Sequence, residues 1–215
     1  SPLDTPASSL FSGLKVISLC TLLSRVLGLV RDVGMAVLFG NGAVMDAFTV
    51  AFRIPNLARR FFGEGALTAA FLPVFVGEME KHGRPSAWKV GSAVLVLLGV
   101  SLCFLVLVAE LALWGLSLWG PITSEGQLLI QLTAIMLPYL VLICLSAQMS
   151  AMLHALGHFT WPALVPVLLN VVWIAGIWWI APRFASPLQQ VTVVSVCILI
   201  AGVLQMIAPW PTLCR

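Results

Sequence analysis

Six apolar runs, each long enough to cross a lipid bilayer, leave this chain few possible folds. They cover roughly 14–39, 44–77, 87–119, 127–156, 160–182 and 188–209. A bilayer core asks for about 20 apolar residues per helix, whereas a barrel strand needs about ten in alternation. The runs here are continuous, so a barrel is excluded. Only 9% of the residues are charged and 60% are hydrophobic, against about 25% charge in an ordinary soluble domain. The expected fold class is an all-α integral membrane protein with about six transmembrane helices. The second and third runs are longer than a span requires, so tilt, a break or extension past the headgroups is expected. Pro55, in "RIPNLARR", lacks a backbone donor and disfavours helix at Ile54, which predicts a kink or break there.

The connections set the expected organisation. The link "EMEKHGRPSAWK" after the second run carries Lys81, Arg84 and Lys89, while "FGNGAVM" and "PITSEGQ" carry no Lys or Arg. Lys15 stands at the very start of the first run and Arg215 follows the last. The positive-inside rule then puts both ends in the cytoplasm. Residues 1–13 read as a cytoplasmic N-terminal segment without the basic start of a secretory signal. Residues 14–209 form a six-helix lobe, and 210–215 read as a truncated end with a second lobe absent. Cys20, Cys103, Cys144, Cys197 and Cys214 form no CxxC pair, so they read as small apolar fillers.

Charge is concentrated in one place. Eight of the nineteen charged residues fall between positions 25 and 64: Arg25, Arg31, Asp32, Asp46, Arg53, Arg59, Arg60 and Glu64. Beyond the third run's Glu110, the later spans are nearly uncharged inside. One Arg or Asp at mid-helix costs about 2.5–3.5 kcal/mol on insertion scales, so such residues normally face a bundle interior or a wet cavity. Seven residues advance about 700°, close to two turns. Arg25 and Asp32 therefore share a face of the first helix, with Arg31 about 120° from Arg25. Asp46, Arg53 and Arg60 recur at sevens in the second, and Glu64 stands four residues from Arg60. All five cations here are arginine, against three carboxylates. The planar guanidinium fork fits phosphate oxygens, so the cluster points to an anionic substrate, phosphate or pyrophosphate first.

The same stretch carries a resemblance. "SRVLGLVRD" followed by "DAFTVAFRIPNLARRFFGEGALTAAFLPVF" closely resembles the MurJ/MviN family of bacterial lipid II flippases. "LPYLVLICLSAQMSAMLHALGHFTWPALVPVLLN" is similar to that family's fourth-to-fifth helix region, and "AGVLQMIAPWPTL" to the end of its sixth helix. Leu67 and Thr68 depart from the Phe-Ser that commonly follows EGA in the family. The resemblance implies one lobe of a fourteen-helix exporter fold in the cytoplasmic membrane. It implies alternating-access transport of lipid II, an undecaprenyl-pyrophosphate-linked disaccharide peptide. On that basis Arg25, Arg31, Asp32, Asn56, Arg59 and Arg60 are expected to bind substrate. Asp46, Arg53 and Glu64 are expected to gate or form ion pairs. The missing lobe implies either an incomplete transporter or a second polypeptide as partner, alongside membrane lipids.

Other chemistries find little support in the residues. "GEGALTAAF" lacks the Lys of a P-loop, and no nucleophile–base pair stands out. The expectation is a transporter rather than an enzyme, without cofactor or metal, and no residue identifies a coupling ion. No basic run interleaved with aromatics suggests nucleic acid. His154 and His158 stand four apart without a third ligand, so they read as interfacial. Trp161, Trp173, Trp178, Trp179 and Trp210 read as helix-end or interfacial residues. Two alternatives remain at this level: an exporter of another polyprenyl-linked oligosaccharide or a drug, and a non-transporting scaffold in cell-wall assembly.

Overall fold

The computed structural model describes residues 5–63, 65–118 and 122–213. Those residues are helical throughout, joined by short turns, and contain no strand. α1 (Thr5–Phe39) is 35 residues long, about 52 Å at helical rise. It begins within the predicted N-terminal segment and continues without interruption into the first predicted span. α2 (Ala43–Ala58) passes into a π-helical turn, Arg59–Gly63, and α3 (Ala66–His82) follows. α4 (Arg84–Leu118), α5 (Ser124–Ala155), α6 (Thr160–Ala175), α7 (Pro187–Ile207) and the short α8 (Trp210–Leu213) complete the chain. A second π-helical turn, Gly176–Ile180, extends α6.

Turn chemistry explains the boundaries. Gly40, with φ 59°, ends α1, and Gly83, with φ 81°, reverses the chain between α3 and α4. Such left-handed backbone is cheap only for glycine. The Thr123 hydroxyl accepts the Gly126 N–H at 3.2 Å and caps α5. Pro187 sits in the first turn of α7, where its missing N–H costs nothing.

The expected break at Ile54–Pro55 is displaced. The α-helix runs through Pro55, which is buried, and holds to Ala58. The irregularity comes four residues later. There the Arg59 N–H bonds the carbonyls of both Asn56 and Pro55, and the helix widens to π geometry. Pro55 removes one hydrogen bond at its own N–H, yet the helix continues past it for three more residues. Glycine then finishes the interruption. A Cβ on Gly65 would lie 2.5 Å from the Arg60 carbonyl oxygen and 2.9 Å from that of Phe61.

Among the described residues, five rods are long and apolar enough to cross a membrane: Ala43–His82, Arg84–Leu118, Ser124–Ala155, Thr160–Arg183 and Pro187–Ile207. With α1 they make six long rods, matching the six runs in the sequence. α5 is the central one. α2, α4 and α7 all pack on it, while α1 packs on α6. The main core gathers Leu132, Met136, Tyr139, Leu140 and Ile143 of α5 with Ala47, Phe48 and Ala51 of α2, Leu98 and Leu102 of α4, and Val191, Val194 and Ile198 of α7. The outward face of α4 exposes Val96, Leu97, Val100 and Phe104. That is the composition of a surface whose solvent is lipid.

A cationic cleft between the first two helices

Helix adjacency leaves a cleft. α1 leans on α6 and α2 on α5, but α1 and α2 scarcely touch. Between them lies a cavity of about 1230 Å³, with α5 and α6 behind and α1 and α2 as flanks. Arg25 and Arg31 reach it from α1, and Arg53, Asn56, Arg59 and Arg60 from α2 and its π-helical turn. All five arginines of the charged stretch thus share one cavity. No carboxylate lines it among the described residues.

Arg31 is the best-defined of the five. Its NH1 donates to Asn170 Oδ1 on α6 at 3.0 Å. Its Nε and NH2 donate to Asp32 Oδ1 at 2.9 and 2.7 Å. The guanidinium carbon stands 4.5 Å from the centroid of the Trp173 ring, close enough for cation–π attraction. Three N–H groups and one face are thereby held, and the remaining donors are left for the cavity. Asn170 is itself fixed, because its Nδ2 donates to the Ser24 carbonyl at 2.9 Å and to the Ser24 hydroxyl at 3.3 Å. One amide therefore ties α1 to α6 and aims the α1 arginine.

The remaining predicted residues fall in different places. Asn56 lines the cavity and donates its Nδ2 to the Phe52 carbonyl one turn back, at 3.3 Å. Arg53, expected as a gating or ion-pairing residue, lines the cavity with the others. Asp32, expected on the Arg25 face, is 66% exposed and lies outside the lining. Its short side chain stays at the rim, whereas the long Arg31 is drawn inward by Asn170. Asp46 is exposed in the first turn of α2, also outside the lining. An acid there meets the positive end of the helix dipole. Glu64 lies outside the described residues.

Two aromatic and imidazole expectations change. Trp173, read as interfacial, is 3% exposed and packs in the core against Phe48 and Phe52. Its place halfway along an apolar helix beneath Arg31 overrides its preference for a wet boundary. His154, also read as interfacial, lines the cavity, whereas His158 does not. Sequence reasoning missed Asn170. The available signal was a lone amide inside the apolar run "LVPVLLNVVW".

A multi-pass helical membrane protein with an arginine-lined cleft is the class these features define. The family described as "Lipid II flippase MurJ" matches residues 35–215, and the chain belongs to it. It is 38% identical over 192 residues to the probable lipid II flippase MurJ of Rhizobium tropici, covering 86% of this chain and 36% of that protein. It is 37% identical over 210 residues to the lipid II flippase MurJ of Burkholderia cenocepacia, covering 95% of this chain and 40% of that one. Among solved structures, it matches "Lipid II flippase MurJ, inward closed conformation" with a TM-score of 0.73 and 27% identity, over 91% of this chain and 41% of that one. The chain thus spans about two fifths of these relatives' length. Neither alternative, an exporter of another polyprenyl-linked oligosaccharide or a drug, or a scaffold, is favoured by these relatives.

Proposed function

We propose that this chain forms the N-terminal lobe of a lipid II flippase in the bacterial cytoplasmic membrane, with the arginine cleft receiving the substrate pyrophosphate. The observation that carries this reading is that five arginines, and no carboxylate among the described residues, line one cavity of an apolar bundle. Holding such a group of like charges together in an apolar bundle is costly. A pyrophosphate offers several acceptor oxygens and the opposite charge, and each guanidinium can grip it with two parallel bonds. Asp32 and Asn170 hold Arg31 in position before substrate arrives, so less side-chain freedom is lost on binding. The cavity exceeds the roughly 300–1,000 Å³ of ordinary ligand pockets, in keeping with a bulky head. The polyprenyl tail would stay in lipid, leaving through the gap between α1 and α2. A second lobe, on this or another polypeptide, would close that gap and exchange access between the two sides. The basic α3–α4 link supports a cytoplasmic N-terminus under the positive-inside rule.

The test uses the chain in nanodiscs of uncharged lipid. Lipid II affinity is measured for the unaltered chain and for Arg25→Ala and Arg31→Ala. A charge-assisted bond contributes about 1.5–3 kcal/mol, so each change should weaken binding by about ten- to 150-fold. Equal affinity in well-folded variants would contradict the reading.

A further inference from the structure

The cleft has two chemically different sides. Its flanks present N–H donors from arginine. One part of its lining, on α5 and the neighbouring α7, presents neutral oxygen. Ser146 and Ser150 stand one turn apart on α5 and both line the cavity, as does Gln205 of α7. Both hydroxyl hydrogens are already used, and so is one of the two Gln205 amide hydrogens. The Ser150 hydroxyl donates to the Ser146 carbonyl at 2.8 Å. The Ser146 hydroxyl donates to the Gln205 backbone carbonyl at 3.3 Å. The Gln205 side-chain Nε2 donates to the Val165 carbonyl at 2.6 Å. What remains on these three side chains is mostly acceptor capacity: the hydroxyl lone pairs and Gln205 Oε1, against a single amide N–H. Gln205 is 2% exposed, and its Oε1 has no hydrogen-bond partner among the described residues. A buried acceptor without a partner is destabilising unless a ligand or water supplies a donor.

An acceptor wall is poorly suited to phosphate, whose oxygens also accept. It suits groups rich in O–H and amide N–H. We propose that the part of the lining formed by Ser146, Ser150 and Gln205 is a subsite for the saccharide part of the substrate head, its hydroxyl and acetamido groups donating to these oxygens. This rests on the phosphate reading above, since it assigns another part of the same cavity. A pyrophosphate held by the flanking arginines would direct the attached sugar towards α5. Selection between glycosylated and bare lipid pyrophosphates then comes from α5 and α7, not from the arginines.

The experiment compares undecaprenyl pyrophosphate with the same lipid bearing a disaccharide, using the chain in nanodiscs of uncharged lipid. Neutral hydrogen bonds predict a preference of about three- to tenfold for the glycosylated lipid. Ser150→Val and, separately, Gln205→Leu should pull that ratio towards one, while Ser150→Thr, which keeps a hydroxyl, should retain it. Arg25→Ala should lower affinity for both lipids and leave their ratio in place. No preference in the unaltered chain, or a ratio untouched by both Ser150→Val and Gln205→Leu, overturns the inference. A preference that appears only when a peptide is added to the disaccharide also overturns it. The phosphate reading stands or falls separately, on whether Arg25→Ala weakens binding at all.

Discussion

Asn170→Leu removes the one amide that links Arg31 to the α6 wall. Leucine has the same branched shape and number of heavy atoms, so the α1–α6 contact stays filled. Three bonds disappear: one to the Arg31 guanidinium at 3.0 Å and two to Ser24 at 2.9 and 3.3 Å. The Ser24 bonds are neutral and concern the packing of α1. The Arg31 bond is charge-assisted, but it sits at an open cleft where water can replace it. Its loss should therefore cost about 1–2 kcal/mol of phosphate affinity, at the low end for a charged donor, or about five- to thirtyfold. Asp32 keeps its grip on Nε and NH2, and the freed guanidinium should turn towards the rim. The assay is a double-mutant cycle on undecaprenyl pyrophosphate binding. If Asn170 acts by aiming Arg31, Asn170→Leu should add less than about twofold once Arg31 is alanine, because coupled residues are not additive. Paired with Arg25→Ala, its effect should be additive. An equal cost of Asn170→Leu with and without Arg31 would refute the reasoning and reduce the residue to a packing role.

Two changes away from the cleft test the packing. A Cβ on Gly202 of α7 would lie 2.8 and 2.9 Å from ring carbons of the fully buried Tyr139. Gly202→Ala should therefore lower stability by about 1–3 kcal/mol, seen as a reduced melting temperature in detergent. Thr123→Ala removes the α5 cap and should cost about 0.5–2 kcal/mol in the same assay, without changing lipid affinity.

The rods could be read from the sequence because the bilayer imposes a length: apolar runs such as 127–156 and 188–209 correspond closely to α5 and α7. The arginine cluster could be read because charge is scarce elsewhere. What spacing could not reveal was adjacency. Nothing in the positions of Arg31 and Asn170, 139 residues apart, says that α1 packs on α6 instead of on α2. For the same reason the shared helical face of Arg25 and Asp32 does not bring Asp32 into the lining, since the cleft is defined by which neighbours α1 and α2 lean against. Trp173 was misread because its type prefers interfaces, yet the core beside Phe48 and Phe52 had room for it. Pro55 was a correct sign of irregularity placed too early, since the widening falls where Arg59 reaches back to two carbonyls.

The central claim is that the cleft selects for phosphate charge. The most direct measurement is a ladder of affinities for undecaprenyl pyrophosphate, undecaprenyl monophosphate and undecaprenol, each with the chain in nanodiscs of uncharged lipid at two salt concentrations. The account predicts weaker binding at each loss of phosphate, with the differences shrinking as salt rises. Equal affinity for the pyrophosphate and the alcohol would contradict it.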